Sequence, residues 1–195
     1  MRIPVLAVAL LASLLCAPPS AAAPAVWLGA ELGLSLPTGD YKDEASLGLL
    51  VGLTGTYMLG DLFGIGGDLA IHSPGVADDF EEAMAAAAGA TVDVGLRAIQ
   101  ATAHARLTLP TRGTVKPYLR GGFGLYNLGS RVEGGTLDVD DSETDLGFNL
   151  GIGALAAAEA VALTGELAYH SIGTEGSSTN MFTLAVGLHF GVGSR

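Results

Sequence analysis

The chain has 195 residues, a formal net charge of -11 and 49% hydrophobic residues, enough for one domain with a substantial core and without the basic surface that nucleic acid requires. Its single cysteine, Cys16, sits near the start of the chain in a segment expected to be removed, so disulfides are excluded as the source of stability after export. Beyond that segment no run of about 18 apolar residues occurs, which excludes a transmembrane helix and leaves strands as the one way across a bilayer.

The first element is an export signal. Met1 and Arg2 supply a positive start, Ile3 to Cys16 an apolar stretch, and "APPSAAAPA" the small residues of a cleavage site. Cleavage is expected after Ala22, because proline directly after a cut is unfavourable; residues 1–22 are then the signal peptide and 23–195 the exported domain. Acylation of Cys16 would want a small residue before it, and Leu15 is not small.

A period of two follows, with alternate side chains on opposite faces of a pleated chain. "VWLGAELGLSL" sets Val26, Leu28, Leu32, Leu34 and Leu36 against Gly29, Glu31, Gly33 and Ser35. The same alternation recurs in "LGLLVGLTGTYML", "LFGIGGDLAIH", "IQATAHARLTLP", "YLRGGFGLYNL", "LGFNLGIGALAA", "VALTGELAYHS" and the closing "NMFTLAVGLHFGV". The prediction is eight strands. Thr91 to Arg97 breaks phase with the strand after it, which a bulge near Ala98 or a strand continuing above the membrane would reconcile. Connections alternate between long ("PTGDYKDEAS", "SPGVADDFEEAMAAAAGA", "GSRVEGGTLDVDDSETD", "GTEGSSTN") and short ("GD", "TRGTVK", "AAEA"), as in barrels with short periplasmic turns and long external loops. In the second long loop a short helix is expected, with Asp79 and Glu82 as its capping pair and Gly89 as its end.

The facing of the greasy side decides the function. A soluble barrel needs strand lysines and mixed charge outside; this chain has only Lys42 and Lys116, in a loop and a turn. Oil therefore lies outside, and the small face fills a narrow interior. Trp27, Tyr57, Phe63, Tyr169, Phe182 and Phe190, near strand ends, are expected to form interfacial girdles. The interior positions hold Glu31, Asp68 and Glu166 with Arg106, Arg120, His104, His170 and His189. Arg106 and Arg120 are equidistant from Gly113, so a symmetric hairpin sets them side by side. Carboxylates from other strands must then be near, forming a central ion cluster, structural or gating.

Eight alternating strands, "KPYLRGGFGLY" and the final "AVGLHFGV" resemble the OmpA/OmpX-like outer-membrane β-barrel proteins. The resemblance implies an all-β, eight-stranded antiparallel up-and-down transmembrane β-barrel in the bacterial outer membrane. It also implies a C-terminal insertion signal, matched here by Gly187, Phe190 and Val192, for the barrel-insertion machinery. The family usually ends on an aromatic residue where this chain has Val192. A monomer among outer-membrane lipids and lipopolysaccharide is expected, with no cofactor and no metal. No peptidoglycan-binding domain follows, so wall anchoring is not expected.

Enzymatic signals are weak. His72-Ser73 and His170-Ser171 are adjacent strand residues that point to opposite faces and cannot readily share a proton; such histidines are expected at the rim, satisfied by water or a carboxylate. "GIGALA" imitates a dinucleotide fingerprint, yet alternation runs through it without the required turn. "DVDDSETD" lacks the glycine of an EF-hand loop and reads as a solvated acidic loop. The leading expectation is a structural or surface-interacting barrel with a plugged lumen. A narrow porin-like channel, a lipid A-editing hydrolase and a soluble ligand-carrying barrel follow in that order.

Overall fold

The computed structural model describes residues 24–89, 91–134, 137–174 and 177–194; the expected signal peptide lies outside them. The strands are β1 (Pro24–Thr38), β2 (Ala45–Met58), β3 (Phe63–Val76), β4 (Asp93–Thr108), β5 (Val115–Gly134), β6 (Leu137–Ala158), β7 (Val161–Thr174) and β8 (Ser177–Ser194), with a short 3-10 helix (Gly39–Asp43) between β1 and β2 and an α-helix, α1 (Asp78–Ala88), between β3 and β4. They form a closed barrel in sequence order, and β1 and β8 seal it over a register running from Pro24↔Ser194 to Thr38↔Asn180. Within the belt every strand is paired on both sides, the condition for placing strands in hydrocarbon; at the long-hairpin end, among the described residues, β4 over 93–97 has no partner on β3 and β6 over 137–146 none on β7.

The pleat sorts the side chains as the alternation predicts. Leu32 and Leu184 are 61% and 58% exposed on the outer face, while Thr54, Thr56, Thr102, Thr164 and Thr183 are buried inside with the acids, histidines and Arg106. So much exposed aliphatic surface on every strand makes sense only against acyl chains. Among the described residues no helix is long and apolar enough to cross a membrane; the strands cross instead.

At the long-connection end the structure decides between two alternatives and corrects one expectation. β4 has no bulge near Ala98: its pairing with β5 is unbroken from Asp93↔Glu133 to Thr108↔Tyr118, so the strand extends and Val92 and Val94 point into the barrel. The register shift falls in the β2–β3 pair, between Ser46 and Leu49. The stretch "GSRVEGGTLDVDDSETD" is mostly strand, since β5 and β6 pair out to Gly134↔Leu137. There Val132 stands opposite Val139 and Arg131 opposite Asp140, cross-strand pairs that hold a ribbon together.

Helix α1 begins two residues earlier than a cap at Asp79 allows. Ala77 is the N-cap and makes no side-chain cap bond; Asp78, Asp79 and Glu81 occupy the first turn, where carboxylates favour the positive end of the helix dipole. Gly89 ends it at φ 64, its N–H donating to Ala85 and Ala86 carbonyls, the left-handed close that glycine permits.

Two apolar clusters close the interior at different heights. Trp27, Met58, Tyr118, Leu155 and Ala162 pack at the short-turn end; Ala98, Tyr126, Ile172 and Met181 pack toward the long-hairpin end. Trp27 is therefore not a girdle residue: it is 7% exposed and faces inward, because it shares the parity of Gly29 and Glu31. Tyr57, Phe63, Phe182 and Phe190 do face outward, and Tyr169 lies 5.2 Å from Phe182, ring centre to ring centre.

Candidate functional site: the polar lumen

Between the two apolar clusters lies a layer of charge. Arg120, from β5, is its hub: Nη2 lies 2.5 Å from Glu166 Oε1 on β7, and Nη1 lies 3.2 Å from Asp68 Oδ1 on β3 and 3.8 Å from Glu31 Oε1 on β1. The guanidinium is planar and offers several donors in a fixed fork, so one arginine can bind carboxylates from three strands. With side-chain exposures of 10% for Arg120 and 6% for both Asp68 and Glu166, these charges are withdrawn from water, and each depends on the others to offset its desolvation.

Arg106 is the register partner of Arg120 but takes a different role. Its Nη2 donates to Met58 Sδ at 3.0 Å, and its guanidinium sits 5.7 Å from the centre of the Tyr118 ring. No ion pair of Arg106 occurs among the described residues. Like charges on adjacent strands repel; one turns to the carboxylates and the other to an aromatic face.

Asp68 joins this layer to a hydrogen-bond chain. Its Oδ2 accepts from His104 Nδ1 at 2.9 Å and from Thr102 Oγ1 at 3.3 Å. Thr102 Oγ1 in turn accepts from Gln100 Nε2 at 2.9 Å. Gln100 Oε1 lies 3.0 Å from His72 Nε2, and His72 Nδ1 lies 2.9 Å from Ser35 Oγ. With His72 donating from Nε2 to the amide oxygen, Nδ1 is left to accept the serine hydroxyl.

The remaining histidines also meet hydroxyls. His170 bridges Tyr126 OH at 3.1 Å and Thr183 Oγ1 at 3.0 Å, and Asn149 Nδ2 donates to the same phenol at 3.2 Å. His189 Nε2 lies 2.8 Å from Thr164 Oγ1. Glycines make the room: a Cβ at Gly147 would come 2.8 Å from the Tyr126 ring, and one at Gly66 would come 2.7 Å from His104 Nε2.

Thus Arg120, Glu31, Asp68, Glu166 and His104 meet in one layer, whereas Arg106, His170 and His189 stand in other contacts. His72 and His170 are not rim residues; they are 0% and 2% exposed and bonded to neutral groups, with no link to Ser73 or Ser171 among their contacts. Sequence reasoning passed over Ser35, Thr56, Gln100 and Asn149 as participants, although their inward parity was the available signal. Of the C-terminal triplet, Phe190 and Val192 are each 53% exposed on the outer face of β8, while Gly187 faces inward, where a Cβ would sit 2.6 Å from Thr164 Oγ1. "GIGALA" runs as uninterrupted strand within β6.

One arrangement has the order of a nucleophilic relay. Thr56 Oγ1 lies 3.0 Å from His104 Nε2, and His104 Nδ1 is bonded to Asp68, giving hydroxyl, imidazole and carboxylate in line. Thr56 is 3% exposed and faces the packed interior, away from the lipid-facing wall. The three groups form a hydrogen-bond chain in which each buried polar atom has a partner.

A closed antiparallel barrel with oil outside and a charged interior defines a protein of the outer-membrane barrel class. Residues 7–190 match the family described as the outer membrane protein beta-barrel domain, and the chain belongs to that family. Solved structures similar to it include Neisserial surface protein A (20% identity, covering 88% of this chain and 100% of that one, TM-score 0.62). Ail, the attachment invasion locus protein of Yersinia pestis, is 14% identical over 88% of this chain and 100% of its own, with a TM-score of 0.55. The N-terminal barrel domain of Pseudomonas aeruginosa OprF is 15% identical over 86% and 99%, with a TM-score of 0.50. At these identities the likeness is one of fold. Among curated proteins nothing matches.

Proposed function

We propose that this outer-membrane barrel is a non-enzymatic structural or surface-interacting protein whose lumen is sealed. The observation that carries the reading is the Arg120 hub, which ties Glu31, Asp68 and Glu166 across the axis between two apolar clusters. A pore would need a continuous wet path, and here aromatic side chains fill the interior above and below the charges. The contacts then belong to the outside: outer-leaflet lipids and lipopolysaccharide around the belt, and the acidic hairpins for partners beyond it. Residues 1–22 act as the export signal, the triplet Gly187, Phe190 and Val192 as the mark read by the insertion machinery, and the barrel works as a monomer.

Planar-bilayer recording tests the seal. The wild-type barrel is expected to give no stable single-channel steps. Steady steps from wild type that change in Arg120→Gln would replace this reading with that of a narrow channel. Unaltered lipid A in cells with and without the protein, seen by mass spectrometry, is expected of a non-enzyme.

A further inference from the structure

The outer wall is not uniform. On β4 three successive lipid-facing positions, between Ile99 and Leu107, are Ala101, Ala103 and Ala105, where other strands mostly carry Leu, Ile, Val or Phe. In one cross-strand row Tyr57, Ile65, Ala105, Gly121 and Leu150 stand side by side; in the next, Gly67, Ala103, Phe123 and Phe148 do. The small residues of these rows, bounded by Tyr57 and Ile65 on one side and Phe123, Phe148 and Leu150 on the other, leave a groove of about 750 Å³, also lined by Ala103 and Ala105.

Above this groove stands Arg97, on the same face of the same strand. Its guanidinium reaches across to β5, since a Cβ at Gly129 would come 3.7 Å from Arg97 Nη2. Arg131 occupies the diagonal position, two residues beyond Gly129, the partner of Arg97, and is ion-paired to Glu133. Arg97 itself takes part in none of the ion pairs of the described residues. Six residues separate Arg97 from Ala103, about 20 Å along a strand. At a tilt of roughly 40° that is about 15 Å along the bilayer normal, half of the ~30 Å hydrocarbon core. A molecule with an anionic head at Arg97 and a tail reaching the groove therefore spans one leaflet.

We propose that the β3–β6 face binds one phosphorylated glycolipid of the outer leaflet, its phosphate on Arg97 with Arg131 beside it, and an acyl chain in the groove over Ala103, Ala105 and Gly121. Charge complementarity selects this occupant over a second barrel. The flat small-residue wall alone would suit either, but Arg97, in no ion pair among the described residues, stands with Arg131 at headgroup height above the groove, and a lipid that carries phosphate at one end and an acyl chain at the other fills both at once. The site is independent of whether the lumen conducts.

The test is native mass spectrometry of the folded protein released from micelles containing diphosphoryl lipid A. Wild type is expected to retain one lipid A per barrel and not to retain phosphatidylcholine. Arg97→Gln, which lies above the belt and leaves folding unaffected, is expected to weaken retention about tenfold, equivalent to about 1.4 kcal/mol. Ala103→Phe fills the groove and is expected to abolish it, with heat-modifiable gel mobility as the check of folding; Leu184→Phe, on β8, is expected to bind like wild type. Retention unchanged by both Arg97→Gln and Ala103→Phe overturns the proposal. So does equal retention of phosphatidylcholine, or a protein dimer that forms without lipid A and is lost in Ala103→Phe.

Discussion

Strand β4 carries two opposite arrangements on one unbroken pleat. From Ile99 to Leu107 its large side chains point outward, with Ile99 36% and Leu107 43% exposed, while Gln100, His104 and Arg106 are buried inside. From Val92 to Ala98 the apolar residues turn inward, at 3% for Val92, 9% for Val94 and 1% for Ala98, and Asp93, Gly95 and Arg97 face out. The register with β5 never slips. What changes is the surrounding medium: acyl chains below, water above. A single strand thus reads as a membrane protein over one length and as a soluble one over the next, and the crossover at Arg97 and Ile99 marks the edge of the belt.

The largest way to break the lower arrangement is at its centre. Arg120→Leu leaves Glu31, Asp68 and Glu166 facing one another without their common partner, and is expected to cost about 3–5 kcal/mol, measured by urea titration in lipid vesicles with the fluorescence of Trp27 as the probe. Loss of less than about 1 kcal/mol would mean that the hub does not hold the lumen together.

A smaller effect sharpens the contrast between the media. Arginine placed at Leu184, in the belt, is expected to destabilise by about 2–4 kcal/mol. Arginine placed at Gly95, where an added Cβ meets nothing within 4 Å, is expected to change stability by about 0.5 kcal/mol or less. Equal penalties at the two sites would erase the boundary drawn here. Smallest of all is Arg131→Gln. Arg131 and Glu133 have side chains 59% and 51% exposed, so solvent screens the pair and its loss is expected to cost at most about 0.5 kcal/mol in the same titration.

Parity made much of this legible before any coordinates. Glu31, Asp68, Arg106, Arg120 and Glu166 could be placed inside by counting in twos, and the symmetry about Gly113 placed Arg106 beside Arg120, as their pairing shows. Parity also placed Trp27 inside, and reading it as a girdle residue weighed chemical type over position. Counting along a strand could not say which arginine takes the carboxylates. That depends on the stagger of β1, β3 and β7 across the axis, which brings Glu31, Asp68 and Glu166 to the height of Arg120 and leaves Arg106 level with Met58 and Tyr118.

The order of residues alone determined the number of strands, their antiparallel sequence and which face meets oil, because alternation with period two is local and a near absence of lysine rules out a watery wall. Only the tertiary structure decided what meets across the lumen and across the wall: the Arg120 hub, the histidine–hydroxyl bonds and the groove beneath Arg97. Each joins strands far apart in sequence, and barrel closure sets their relative heights, a quantity that no single strand encodes.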